Sequence, residues 1–227
     1  MASVCNPSDF QGEYTFQLAG QTTISGESQA ASSLGRITLD GNGGVTGYAS
    51  AMFSGVLQGN PVTGTYEAKT DCTVTWQLQD DSGGYQHFSG VATPGAQSVR
   101  FKQTDPGGLK DGLMTKTATE CQVTDLAKQY DVTFSGSTSA GEVSAQGEMT
   151  GDGNGNFKLT RKGNTNATDV TITIQPDCTV NLVIELPAEH GHATTEMNLQ
   201  GVVTVGKQIL AIQTDPGNMV AAKFTAR

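Results

Sequence analysis

Apolar and polar residues alternate in short runs along most of this chain. Tyr14, Phe16 and Leu18 are interleaved with Thr15 and Gln17; Cys72, Val74, Trp76 and Leu78 are interleaved with Thr73, Thr75 and Gln77. A period of two marks a strand with one buried face. Further runs over 36–40, 45–53, 64–69, 85–93, 99–103 and 113–119 are bounded by turn residues. These include Gly41-Asn42-Gly43-Gly44, Gly59-Asn60-Pro61, Asp80 to Gly84 and Thr104-Asp105-Pro106-Gly107. Glycine and asparagine supply positive φ angles there, and proline presets φ. The Ser/Gly-rich stretch between Leu18 and Arg36 reads as a connection. No stretch carries a credible helical period.

The pattern then starts again. Cys121 precedes Tyr130, Val132 and Phe134 as Cys5 precedes Tyr14 and Phe16. Asp152-Gly153-Asn154-Gly155 repeats Asp40-Gly41-Asn42-Gly43, and Asp177-Cys178-Thr179-Val180 repeats Asp71-Cys72-Thr73-Val74. Gln213 to Gly217 repeats Gln103 to Gly107. The offsets at these three anchors are 112, 106 and 110 residues, so the copies differ in loop length. Ordered anchors of this kind are an internal duplication. It divides the chain into residues 1–119 and 120–227.

About eight short strands per copy predict an all-β protein of two tandem antiparallel small barrels. β-Sandwiches are the alternative. Each copy has one cysteine before its first strand and one at its fifth. Four cysteines allow three pairings; the duplication favours Cys5 with Cys72 and Cys121 with Cys178. Cys72 and Cys178 share the parity of the apolar residues and should face the interior. Persistent disulfides belong to an oxidising compartment, which predicts a secreted or cell-surface protein. The amino end MASVCNPSDF lacks a charged and then apolar export signal, so that reading expects the signal to have been removed.

Net charge changes the picture by exclusion. Thirteen basic against 22 acidic residues give −9, which argues against a nucleic-acid or anionic-membrane partner. No apolar run approaches the roughly 18 residues of a membrane span.

The segments GRITLDGNGGVTG, GTYEAKTDCTVTW and QTDPGG resemble a repeat of bacterial, exported β-proteins of unassigned function, similar in outline to calycin-like barrels. Both copies match, the second more loosely, with Gly147-Glu148-Met149-Thr150 in place of Gly35-Arg36-Ile37-Thr38. The resemblance implies a fold and transfers no catalytic residue and no cofactor.

Candidate chemistry is sparse. Tyr66, Trp76 and Phe101 could line a cavity for a small apolar ligand, although a packed core uses the same residues. Their counterparts Ile172, Leu182 and Ala211 are smaller. His190, His192 and Glu196 have the spacing of half a cupin metal motif. The two histidines fall where the first copy has a turn, which favours a solvated loop over a metal site. The Asp-Gly-Asn-Gly segments resemble the start of a calcium loop but lack its distal glutamate, and a hairpin turn accounts for them. Leu210 and Ile212 replace Arg100 and Lys102 of the first copy, so an apolar pair stands where the first copy is charged. Such a pair predicts an interface or self-association.

Three functions follow. A secreted, non-catalytic binding or scaffolding module, for a small apolar ligand or an extracellular polymer, requires only what these residues show. A structural subunit of an extracellular assembly is the second. A barrel enzyme of cyclase or isomerase type acting on a small hydrophobic substrate is the third.

Overall fold

The computed structural model describes residues 5–24, 27–81, 83–186 and 195–227. It divides into two compact units, Met1–Thr117 and Ala118–Arg227. Each is a closed antiparallel barrel of eight strands. In unit 1 these are β1 (Gly12–Ile24), β2 (Glu27–Leu39), β3 (Gly44–Phe53), β4 (Val56–Ala68), β5 (Thr73–Asp80), β6 (Tyr85–Ala92), β7 (Ser98–Gln103) and β8 (Leu109–Lys116). In unit 2 they are β9 (Gln129–Thr138), β10 (Gly141–Gly151), β11 (Asn156–Arg161), β12 (Ala167–Ile174), β13 (Thr179–Leu186), β14 (Thr195–Val203), β15 (Ile209–Gln213) and β16 (Met219–Ala226). Consecutive strands pair, and β1 with β8 and β9 with β16 close the rings. Closure decides between barrel and sandwich.

Two stretches depart from the sequence reading. The Ser/Gly-rich stretch is largely strand, because β1 continues to Ile24 and β2 begins at Glu27. Its small polar residues give no apolar alternation to read. Gly59-Asn60-Pro61 is also strand, paired with Ser50, Ala49 and Tyr48. The turn lies earlier, at Ser54 (φ 49°) and Gly55 (φ 77°), two positive φ angles in succession. Pro61 is tolerated because the N–H of Tyr66 donates to Gly43 across the β3 side. By alternation the nitrogen of residue 61 faces β5, whose pairing starts only at Val62.

The repeated motifs are staples of this fold. Asp71 Oδ1 accepts the Thr73 N–H at 2.9 Å, and Asp177 Oδ1 accepts that of Thr179 at 3.0 Å. Inside each turn the cysteine adopts φ +69°, a conformation that costs a non-glycine residue about 1–3 kcal/mol. Cys72 and Cys178 are buried and bonded to Cys5 and Cys121. Each bridge ties the entrance of its barrel to the fifth strand. In the Gln-Thr-Asp-Pro-Gly turns, Asp105 Oδ2 accepts the His87 N–H at 2.8 Å and Gln103 Nε2 at 2.9 Å. Asp215 Oδ2 does the same for Asn198 and Gln213, at 2.8 and 2.9 Å. That aspartate pins the β7–β8 or β15–β16 turn to the strand across the sheet.

The two cores place their bulk differently. In unit 1, Trp76 stacks on Phe88 (5.3 Å between centroids) and meets Phe101 edge-on at 4.8 Å. In unit 2 the same places hold Leu182, Leu199 and Ala211, and the rings are Tyr130, Phe134, Phe157 and Phe224, 6.0–6.3 Å apart. Aromatic volume has moved around the barrel.

Replacing both members of a bridge by serine should cost about 4 kcal/mol on the chain-entropy model, given sequence separations of 67 and 57. Trp76→Ala should cost about 3–5 kcal/mol. Calorimetry on each variant reads both, and an unchanged midpoint would contradict these assignments.

Candidate binding groove

The sequence-predicted residues do not converge on one site. Trp76 and Phe101 are buried in the core of unit 1, and Tyr66 packs at its margin. Glu196 lies exposed on β14, opposite Glu185. His190 and His192 lie outside the described residues. Among the described residues, no three His, Cys, Asp or Glu side chains cluster to hold a metal. Leu210 and Ile212 alternate with the core residues Ile209 and Ala211 along β15, and both are buried. Arg100 and Lys102, at the matching places of unit 1, are exposed.

The Asp-Gly-Asn-Gly segments are hairpin turns. Asp40 Oδ1 accepts the N–H groups of Asn42 (2.7 Å) and Gly44 (2.8 Å). Asp152 Oδ1 accepts those of Asn154 (2.6 Å) and Asn156 (3.3 Å), and its Oδ2 accepts Asn156 Nδ2 at 2.9 Å. In each, one carboxylate oxygen is committed to the turn's own backbone.

A groove of about 570 Å³ runs over β9, β10 and the end of β11 in unit 2. Asp131, Glu148, Arg161 and Lys162 are among the residues that line it. Asp131 and Glu148 are neighbours across the β9–β10 pair, where two carboxylates would repel. Arg227 relieves this: its guanidinium is ion-paired with Asp131 and lies 2.6 Å from Glu148 Oε1. The same arginine holds the Asp131 carboxyl below its ordinary pKa. One guanidinium against two carboxylates only partly offsets their charge, and Arg161 and Lys162, which also line the groove, make no ion pair among the described residues. No sequence motif announced this groove, since Arg227 and Asp131 are 96 residues apart.

Why the groove exists follows from the duplication. The offset falls from 112 at Asp40/Asp152 to 106 at Asp71/Asp177, so the second copy lacks six residues between these anchors. Those residues lengthen the β3–β4 hairpin of unit 1, where β2 pairs with β3 from Ala31–Phe53 to Leu39–Val45. In unit 2 the corresponding β10–β11 pairing starts only at Gly147–Arg161. Gln146, Lys162, Gly163 and Asn164 form the end of the groove at that point.

No family model matches this chain, and no curated protein sequence does. Similar solved structures include transferrin-binding protein B from Neisseria meningitidis serogroup B, 9% identical, covering 96% of this chain and 76% of that one, TM-score 0.39. A double mutant of transferrin-binding protein B from Haemophilus parasuis is also 9% identical, covering 93% and 74%, TM-score 0.35. A protein of unknown function from the DUF3598 family of Nostoc punctiforme is 9% identical, covering 96% and 97%, TM-score 0.27.

Several carboxylates titrate low for local reasons. Backbone N–H groups of Asn42 and Gly44 lower Asp40, that of Thr73 lowers Asp71, and the Asn156 side chain with the Asn154 N–H lowers Asp152. Burial alone would raise Asp105; the hydrogen bonds from His87 and Gln103 outweigh it. A carboxyl held below its unfolded value of about 3.9 contributes stability that is complete above that value. The contribution is lost as pH falls through the folded pKa. The thermal midpoint should therefore drop as pH is lowered below about 4, and Asp105→Asn should flatten that drop. A midpoint constant down to about pH 2.5 would refute this account.

Proposed function

We propose that this protein is a secreted or cell-surface, non-catalytic binding module that presents the groove of unit 2 to an extracellular polypeptide or polymer. The groove itself carries the reading: it is open, bordered by β9 and β10, and lined by two cations that make no ion pair among the described residues and by an acidic pair partly offset by Arg227. The two disulfides support an oxidising compartment. Among the described residues, no helix is long and apolar enough to cross a membrane.

A small apolar ligand inside unit 1 is less favoured, because it would have to displace the packed rings of Trp76 and Phe101. Losing such packing costs several kcal/mol before any ligand contact is made, by analogy with about 3–5 kcal/mol for truncating a buried ring.

The oxidised chain, probed against an array of extracellular-matrix polypeptides and polysaccharides, should show saturable retention without chemical change to the ligand. Arg161→Glu with Lys162→Glu should weaken that retention about tenfold or more, as loss of two charge-assisted contacts implies. A blank array, turnover of a retained ligand, or an unaffected double variant would each refute the reading.

A further inference from the structure

We propose that the rim of β10, from Gly141 to Ala145, is a docking edge for an extended segment of a partner polypeptide, which adds to the sheet as an antiparallel strand. This rests on the binding-module reading and names its partner class.

The backbone geometry is specific. The Lys162 N–H donates to the Gln146 carbonyl at 2.7 Å, so Gln146 directs its backbone groups toward the β11 side. Alternation then directs the N–H and C=O of Ser144 and Glu142 to that side as well. β11 has no residue to meet them, since its last pair is Arg161 with Gly147. Among the described residues no backbone group pairs with either on that side. On the opposite side the strand is secured to β9 through Gly141–Thr138. Glu142 and Ser144 are exposed, whereas Val143 and Ala145 are half-buried and pack against the core of unit 2. Four unpaired backbone groups in a row on a firmly held strand are a template for strand addition.

The chain itself shows what fits. By the offset of 112, Ala31, Ser32 and Ser33 of β2 correspond to Val143, Ser144 and Ala145. In unit 1 they are covered by Phe53, Met52 and Ala51, an antiparallel strand with small or apolar side chains. The second copy is six residues shorter here, so unit 2 has no strand in that place and its seat is open. Continuing the same register, Ser54 corresponds to the place facing Glu142. The occupant should thus carry apolar residues opposite Val143 and Ala145 and a basic residue opposite Glu142.

The test uses the full oxidised chain and two fluorescent peptides, one with the sequence of residues 47–55 and the other with Ser54→Lys. Anisotropy should show saturable binding, tighter for the Ser54→Lys peptide. Ser144→Pro removes an N–H that points to the open side and no bond to β9, so it should fold with a little-changed midpoint and weaken binding about tenfold. Backbone N-methylation of the peptide at the residues bonding Ser144 should abolish binding to the unaltered protein, which keeps the test valid if the proline variant misfolds. Failure of both peptides to bind, binding indifferent to N-methylation, or occupation of the edge by a second copy in sedimentation would overturn the proposal. The array result stands independently, so the edge can fail while the module reading survives.

Discussion

Each unit depends on the ladder that joins its last strand to its first. Eight antiparallel strands left open would present two bare edges and a core exposed along the seam. Pairing Tyr14 through Gln21 with Lys116 through Leu109, and Tyr130 through Ser137 with Ala226 through Met219, removes the seam. Every inward side chain then faces the same interior. The disulfides reinforce this economy by tying the chain's entrance to the fifth strand, halfway around the ring. Against so closed a design, a stretch of strand that outruns its neighbour stands out.

The energetic weights are unequal. Buried rings and bridges act at several kcal/mol each, while exposed pairs such as Lys158 with Asp169 contribute at most about 1 kcal/mol. The cores therefore hold the barrels, and the ion pairs around Arg227 shape a surface. The exchange of Trp76, Phe88 and Phe101 for Leu182, Leu199 and Ala211, offset by Phe134, Phe157 and Phe224, indicates that total volume mattered more than position.

Much of this was legible in the chain. Strands with one buried face announced themselves by alternation, as in Cys72 to Leu78, and the matched cysteines favoured the observed pairing. Strands built from small polar residues did not: the end of β1 and the start of β2 carry threonine, serine, glutamine and alanine, so they left no apolar alternation to read. Asn60-Pro61 looked like a turn because local chemistry said so, while long-range register made it strand. The shortened loop of the second copy was visible as a falling offset. Which strand it uncovers depends on pairing between distant segments, and that information is absent from local sequence. The meeting of Arg227 with Asp131 and Glu148 was hidden for the same reason.

Trp76 is the only tryptophan in the chain, and it is buried in the core of the first barrel. Indole emission during denaturation consequently reports that barrel alone. The second barrel has a single tyrosine, Tyr130, and otherwise phenylalanine rings, so it is nearly silent at the same wavelengths. A smooth emission curve fitted to one transition would describe half of the molecule. Far-ultraviolet circular dichroism sees both sheets, and any displacement between the two curves measures how independently the duplicated halves melt.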